Sequence, residues 1–164
     1  MRALKILALV LLPLACLAAC DKKSDAATTS SYDTSPDSNK RFLADYAAKP
    51  GVKKTESGLM YRVIKAGTGP AVQKDSDLVT VYYKGSLING KVFDQTQPQE
   101  TRQFPAGQLI PGWVEALKLM KTGDTWEIVL PAELGYGADG AGDSIPPDQT
   151  LVFTMTLVKV EYAN

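Results

Sequence analysis

The spacing of apolar residues changes character several times along the chain. Residues 6–17 form an almost unbroken apolar run, shorter than a helix needs to cross a bilayer. Residues 21–39 are mostly Asp, Ser, Thr, Lys and Ala, and a stretch so poor in apolar side chains cannot bury a core. Phe42, Leu43, Tyr46 and Ala47 then recur at helical spacing. This predicts a short helix over 38–48, capped by Asp37 or Ser38 and ended by Lys49-Pro50-Gly51. A helix of about three turns is marginal alone and is expected to dock on something.

Beyond Gly58 the period falls to two. Leu59, Tyr61 and Val63 face one way and Met60, Arg62 and Ile64 the other, until Gly67-Thr68-Gly69-Pro70 breaks the run. Residues 78–87 predict a stronger strand, with Val79, Val81 and Tyr83 on one face and Thr80, Tyr82 and Lys84 on the other. Asn89-Gly90 is a two-residue hairpin signal, with the return through Lys91-Val92-Phe93. Residues 95–101 read as a polar loop, and Phe104 as part of a short strand or bulge. The Pro-Gly break in Leu109-Ile110-Pro111-Gly112-Trp113 opens a second helix, starting near Gly112 with Trp113 in its first turn. Lys121-Thr122-Gly123-Asp124 turns the chain into an alternating run through Trp126, Ile128 and Leu130. A Gly- and Pro-rich loop over 131–149 leads to a closing strand with Leu151, Phe153, Met155 and Leu157 in alternation. One short helix covers only one face of a sheet, so the pattern predicts an α+β fold, an antiparallel half-barrel of about five hairpin-connected strands wrapped around that helix.

The first residues change the picture of the whole chain. A basic start, Met1-Arg2-Ala3-Leu4-Lys5, the apolar run and the small-residue ending Leu17-Ala18-Ala19-Cys20 together make a secretory signal. The ending also resembles a bacterial lipobox, which implies cleavage before Cys20 and lipid on that residue. A non-lipidated signal cut after one of the alanines is the alternative. Asp21, next to the lipidated position, resembles the inner-membrane retention signal of some Gram-negative lipoproteins. The organisation expected is a lipoprotein signal peptide over 1–19, a flexible tether over 20–37, a short helix and linker over 38–54, and one folded domain over 55–164.

Composition then removes whole classes of chemistry. The two cysteines are Cys16 and Cys20, so a chain beginning at Cys20 has no pair for a disulfide. Histidine is absent, and with it the commonest metal ligand and general base. Lys+Arg and Asp+Glu number 18 each, and losing Arg2 and Lys5 with the signal leaves a slight acidic excess, which gives no footing for nucleic acid. There is no phosphate loop with a lysine, no paired metal-ligand motif and no Ser/His or Cys/His nucleophile pair. What converges instead is Tyr83, Phe93, Ile110, Trp113, Tyr136, Ile145 and Phe153, with the carboxylate of Asp94 directly after Phe93. Trp113 can plug the core, or it can floor an apolar pocket walled by Leu109 and Ile110. Asp94 can be a turn cap or a solvated charge, or a polar group at the rim of that pocket.

Six blocks carry a family resemblance: Val81-Tyr82-Tyr83-Lys84-Gly85, Gly90-Lys91-Val92-Phe93-Asp94, Ile110-Pro111-Gly112-Trp113, Glu133-Leu134-Gly135-Tyr136-Gly137, Ile145-Pro146-Pro147 and Thr150-Leu151-Val152-Phe153. In order and approximate spacing they resemble the FKBP-type peptidyl-prolyl cis-trans isomerases, over residues 55–160. Glu56-Ser57-Gly58-Leu59 and the helix before it resemble the periplasmic lipoprotein group similar to the macrophage infectivity potentiator. The resemblance implies an isomerase that assists folding of exported proteins at the bacterial cell envelope, lipid-anchored and facing the periplasm, with no cofactor and no metal. A non-catalytic holdase or peptide-binding module on the same fold is the alternative. Implied partners are proline-containing segments of exported proteins and tacrolimus-like macrolides, with the membrane reached through the lipid. A monomer is expected rather than the dimer that a much longer N-terminal helical region makes in that group. The resemblance further implies Trp113 as the pocket floor, with Tyr83, Phe93, Leu109, Ile110 and Phe153 as substrate-binding walls. Asp94 and Tyr136 become rim groups, and the Ile145 backbone N–H a donor to the substrate carbonyl; these three are the implied catalytic set. Two departures stand out: Arg102, two positions before Phe104, where an apolar or aromatic residue is expected, and Ser144, where some members carry an aliphatic. Both are expected to loosen the apolar lining.

Overall fold

The computed structural model describes residues 31–164, so the expected signal peptide, Cys20 and most of the expected tether lie outside the described residues. Helix α1 (Pro36–Ala47) comes first, followed by β1 (Lys53–Lys54), β2 (Met60–Lys65), β3 (Leu78–Leu87), β4 (Val92–Gln95) and β5 (Arg102–Pro105). Helix α2 (Pro111–Leu119), β6 (Thr125–Leu130) and β7 (Leu151–Glu161) complete the order. Two short 3₁₀ turns, Ala132–Leu134 and Gly137–Asp139, lie in the connection between β6 and β7.

Every strand pairs antiparallel, in the order β1-β2-β6-β7-β3-β4, with β5 also on β3. The ladder between β3 and β7 runs from Leu78 opposite Glu161 to Leu87 opposite Leu151 and forms the spine of the sheet. On the other side of β3, its first residues pair with β5 and its last with β4. Counting β4 and β5 as halves of one interrupted edge, and the two-residue β1 as a stub, recovers the five strands anticipated from the sequence. The anticipated run of simple hairpins is not recovered. β2 pairs with β6 rather than β3, so the chain crosses the sheet between them. Alternation identifies a strand and its buried face but carries no information about its neighbour.

Side-chain parity explains why the sheet holds a helix on each face. Val79, Val81 and Tyr83 are buried while Leu78, Tyr82 and Lys84 are exposed, the alternation read from the sequence. The inward set joins Leu59, Ile128, Leu130, Phe153, Met155 and Leu157 against Trp113, Ala116, Leu117 and Met120 of α2, forming the main core. Pro111 occupies the first turn of α2, and a Cβ on Gly112 would run into the Leu130 side chain, so this glycine lets the helix start lie close against β6. Residues of opposite parity, Met60, Val129 and Val152, project from the other face and are covered by Phe42, Leu43 and Tyr46 of α1. That is the docking site α1 requires.

Three local details differ from the sequence reading. Helix α1 starts at Pro36, and its cap is Ser35, whose hydroxyl accepts the Ser38 N–H at 3.3 Å. Asp37 and Ser38, the expected caps, therefore lie inside the first turn, because the Ser-Pro step already supplies both the cap and a preset φ. The end of the expected tether is folded back as well: Tyr32 donates its hydroxyl to Asp45 at 2.6 Å and sits edge-on to Phe42. The β3–β4 connection has three residues, Ile88-Asn89-Gly90, rather than two. Leu87 and Lys91 close it, Gly90 donates to the Leu87 carbonyl at 2.9 Å, and Gly90 takes φ +85°, the left-handed geometry that follows a type I turn in such loops.

Candidate active site

The cavity opens where α2 meets the β3–β4–β5 edge. Alternation turns Tyr83 inward from β3 and Phe153 inward from the neighbouring strand β7, where Phe153 faces Gly85. Between them, Gly85 pairs with both Asp94 and Phe153. A Cβ there would come within 2.6 Å of the Phe153 ring and 2.7 Å of the Phe93 ring. The missing side chain is what lets these rings meet edge-to-face at 5.5 Å. Leu109 and Ile110 arrive on the approach to α2, and Arg102 and Phe104 on β5 complete the wall, with Tyr136 at the mouth. The enclosed volume is about 170 Å³. An apolar cavity of about 150 Å³ takes up benzene, so this space admits one small ring and leaves any attached backbone outside.

Trp113 fits both of the fates offered by its sequence context. It is only 4% exposed and belongs to the main core, yet it also lines the cavity. Three rings meet it nearly at right angles: Tyr83 at 5.0 Å, Phe153 at 5.2 Å and Phe104 at 6.3 Å. A floor fixed by three edge contacts is also a packing element. The alternatives of plug and floor are therefore not exclusive here.

A polar triangle closes one side. The Tyr83 hydroxyl donates to Asp94 Oδ2 at 2.5 Å and accepts from Arg102 Nη1 at 2.7 Å; the same nitrogen lies 3.3 Å from Asp94 Oδ2. The Arg102 guanidinium also sits 5.7 Å from the centre of the Tyr83 ring. The expectation that Arg102 merely loosens the apolar lining is thus corrected: it lines the cavity and ties Tyr83 to Asp94. Burial, reinforced by the hydrogen bond to Asp94, pushes the Tyr83 phenol up to about 12. Burial and the nearby Asp94 charge raise Tyr136 as well. Both phenols are proton donors at ordinary pH. Tyr83 spends its proton on Asp94, while the hydroxyl of Tyr136, a residue 39% exposed, makes no hydrogen bond to another described residue and is free to donate.

Ile145 stands apart from the other candidates. Its side chain is 4% exposed in the main core and does not line the cavity, and its N–H donates to the Ala141 carbonyl at 3.2 Å across a one-residue bridge. Ser144 is exposed and also lies off the cavity wall, so its effect on the lining is removed by geometry. Two lining residues, Arg102 and Phe104, were absent from the candidate set. Their spacing of two along a strand already placed them on one face, and that signal was available in the sequence. Among the described residues, no cluster of three or more His, Cys, Asp or Glu could hold a metal ion.

Comparison with known proteins adds to this geometry. Residues 69–158 match the family described as FKBP-type peptidyl-prolyl cis-trans isomerase, and residues 14–63 match the domain amino terminal to FKBP-type peptidyl-prolyl isomerase. The chain is similar to the FKBP-type 22 kDa peptidyl-prolyl cis-trans isomerase of Escherichia coli strain K12, 44% identical over 140 residues that cover 85% of this chain and 68% of that protein. It is also similar to the Outer membrane protein MIP of Legionella longbeachae, 47% identical over 123 residues covering 74% of this chain and 52% of the relative. Of solved structures, that of FkpA from Escherichia coli matches with a TM-score of 0.72 and 44% identity, over 77% of this chain and 59% of that one. A peptidyl-prolyl cis-trans isomerase from Pseudomonas syringae pv. tomato str. DC3000 gives the same TM-score at 39% identity, over 77% and 92%. The chain thus spans about two thirds of the first relative and about half of the second.

Proposed function

The chain belongs to the FKBP-type peptidyl-prolyl cis-trans isomerase family, and from that premise we propose that it catalyses cis–trans isomerisation of X-Pro bonds in exported proteins at the bacterial cell envelope. The observation that carries the reading is the ring-sized cavity floored by Trp113, with the Tyr83–Asp94–Arg102 group closing one side and the Tyr136 phenol at the mouth. The uncatalysed barrier is about 18–20 kcal/mol because amide resonance resists twisting. A planar amide is more charge-separated than a twisted one. Seating the proline ring among Trp113, Phe93 and Phe153 removes water from the bond and raises the ground state relative to the twisted transition state. Tyr136, its proton uncommitted, is placed to donate to the acyl oxygen and hold that side while the ring stays on Trp113. The triangle of Tyr83, Asp94 and Arg102 fixes the wall against which the ring turns. The Ile145 N–H serves as a second donor only after its long bond to Ala141 opens. No bond to the substrate is made or broken.

Refolding of a protein limited by a slow proline step tests this directly, because such steps take tens of seconds and catalysis shortens them. Acceleration proportional to enzyme concentration is expected. Suppressed aggregation with no acceleration would instead establish the holdase alternative.

The location forms part of the proposal. The Leu17-Ala18-Ala19-Cys20 ending supports lipid attachment at Cys20, and more than one acyl chain anchors firmly where a single chain does not. The mature protein is then expected in the detergent phase of a phase split, and Cys20→Ala in the aqueous phase. An N-terminal peptide without lipid mass would refute the anchor.

A further inference from the structure

We infer that Asn39, on the helix before the isomerase domain, is a positioning residue for the mouth of the pocket: with Gln149 it clasps α1 to the end of the loop that carries Tyr136. Asn39 and Gln149 are each 6% exposed, though one belongs to a surface helix and the other to a loop. Buried carboxamides are costly unless their hydrogen bonds are met, and here they are met across 110 residues of sequence. The Asn39 side chain accepts the Thr150 N–H at 2.8 Å and donates to the Ser35 carbonyl at 3.0 Å. Gln149 donates to the Thr34 carbonyl at 3.1 Å and to its own loop at the Pro147 carbonyl, 3.0 Å.

From this clasp the constraint reaches the pocket in two steps. Asp148, the neighbour of Gln149, donates its N–H to the Gly137 carbonyl at 2.9 Å. Gly137 follows Tyr136, which lines the cavity and whose hydroxyl proton is not committed to any other described residue. Asp148 takes φ +57°, a strained conformation for a residue with a side chain, and such strain persists only where the surroundings hold it. The loop's other hydrogen bonds are short and local, Gly140 to Tyr136 and the Ala141–Ile145 bridge, and its one deep anchor is the Ile145 side chain in the main core. Its far end is fixed by α1.

The inference rests on the proposed function for its effect on turnover, but its structural claim is independent of it. Releasing the clasp lets the loop sample arrangements in which Tyr136 is misplaced. The apparent affinity for substrate then falls by the fraction of time the loop is competent. Once substrate is bound and the loop ordered, the twist itself proceeds as before. Asn39→Ala is therefore expected to raise KM several-fold with kcat changed less than about twofold. Amide hydrogen exchange over residues 137–148 is expected to speed roughly tenfold while the β6–β7 ladder keeps its protection. Asn39→Asp keeps an acceptor for the Thr150 N–H but cannot donate to the Ser35 carbonyl or to Gln149, and is expected to loosen the loop as Asn39→Ala does.

Gln149→Ala provides the same comparison without touching α1's own hydrogen bonds, and decides the matter if Asn39→Ala does not fold. Unchanged exchange over 137–148 overturns the inference, whether or not the wild type is an active isomerase. Exchange that speeds equally in the loop and the β6–β7 ladder overturns it too, since that is a general loss of stability. A wild-type chain without catalysis but with locally loosened exchange in the variants would refute the proposed function and leave the clasp standing.

Discussion

Gly85→Ala is the substitution in which the packing of this pocket is most directly readable. The added methyl would sit 2.6 Å from Cε1 of Phe153 and 2.7 Å from Cζ of Phe93, both far inside contact distance. Neither ring yields freely. Phe153 is held edge-on to Trp113 at 5.2 Å and Phe93 edge-on to Phe153 at 5.5 Å, and the backbone of Gly85 is paired on both sides, to Asp94 and to Phe153. Overpacking of this kind costs about 1–3 kcal/mol. Loss of one edge-to-face pair adds roughly 0.5–1.5 kcal/mol. A total near 3 kcal/mol corresponds to a fall in Tm on the order of 10–20 °C for a domain of this size. The same displacement narrows the cavity, so ligand affinity falls with stability. Trp126→Phe gives a suitable background: it keeps a ring against Tyr61, the Trp126 Nε1 has no hydrogen-bond partner to lose, and Trp113 is left as the one tryptophan, so this variant is the reference for both measurements. Titration with a proline-containing peptide, read by Trp113 emission, and a thermal melt complete the assay. The reference Tm and affinity in the alanine variant would refute the packing argument, and with it the account of how these rings wall the cavity.

Other perturbations separate the remaining features. Asp94→Val leaves the Tyr83 hydroxyl without its acceptor and Arg102 without its counter-ion; the pair is half exposed, so a stability loss of only about 0.5–1.5 kcal/mol is expected, alongside a marked drop in turnover, and unaltered turnover in the refolding assay would return Asp94 to a solvated charge. Asp77 accepts backbone N–H groups from Gln73, Lys74 and Ala163, which hold its carboxyl below the ordinary 3.8. Its stabilisation is therefore complete above that value and fades as pH falls through the depressed one. Asp77→Asn should be less stable than wild type at neutral pH, with the gap closing in acid, and a pH-independent gap in urea melts would contradict this.

The fold was legible where one periodicity acted alone and obscure where contacts were remote. In β3 the alternation of Val79, Val81 and Tyr83 with exposed Leu78, Tyr82 and Lys84 needed nothing beyond a half-buried sheet. β2 was harder to read, because Leu59 serves the main core while Met60 beside it serves α1, so burial on both faces blurs the period. The place of the β3–β4 turn was announced by Asn89-Gly90, but not its length, since Gly90 occupies the left-handed position after the turn rather than its corner. The crossing between β2 and β3 has no local signature at all.

At the site, composition identified the ring-bearing residues but not the company each keeps. Tyr83 looked like a wall from its inward parity, and its ring is one; its hydroxyl, however, is fixed by Asp94 and Arg102, which sit 11 and 19 residues along the chain. Arg102 looked like an intrusion because charge is disfavoured on an apolar lining. It is tolerated since only its cation reaches the wall, where a carboxylate and a phenol oxygen receive it, and since half of its side chain remains in water. Ile145 shows the opposite failure. Its apolar side chain suggested a pocket residue, yet it is spent on the core, and what remains for substrate is a backbone N–H already donated to Ala141. A backbone donor has no residue identity, so it was the family resemblance and not the pattern of side chains that singled out the Ile145 N–H. Its availability depends on how tightly the 137–148 loop is held, and that is decided on the far side of the sheet, by the helix that bears Asn39.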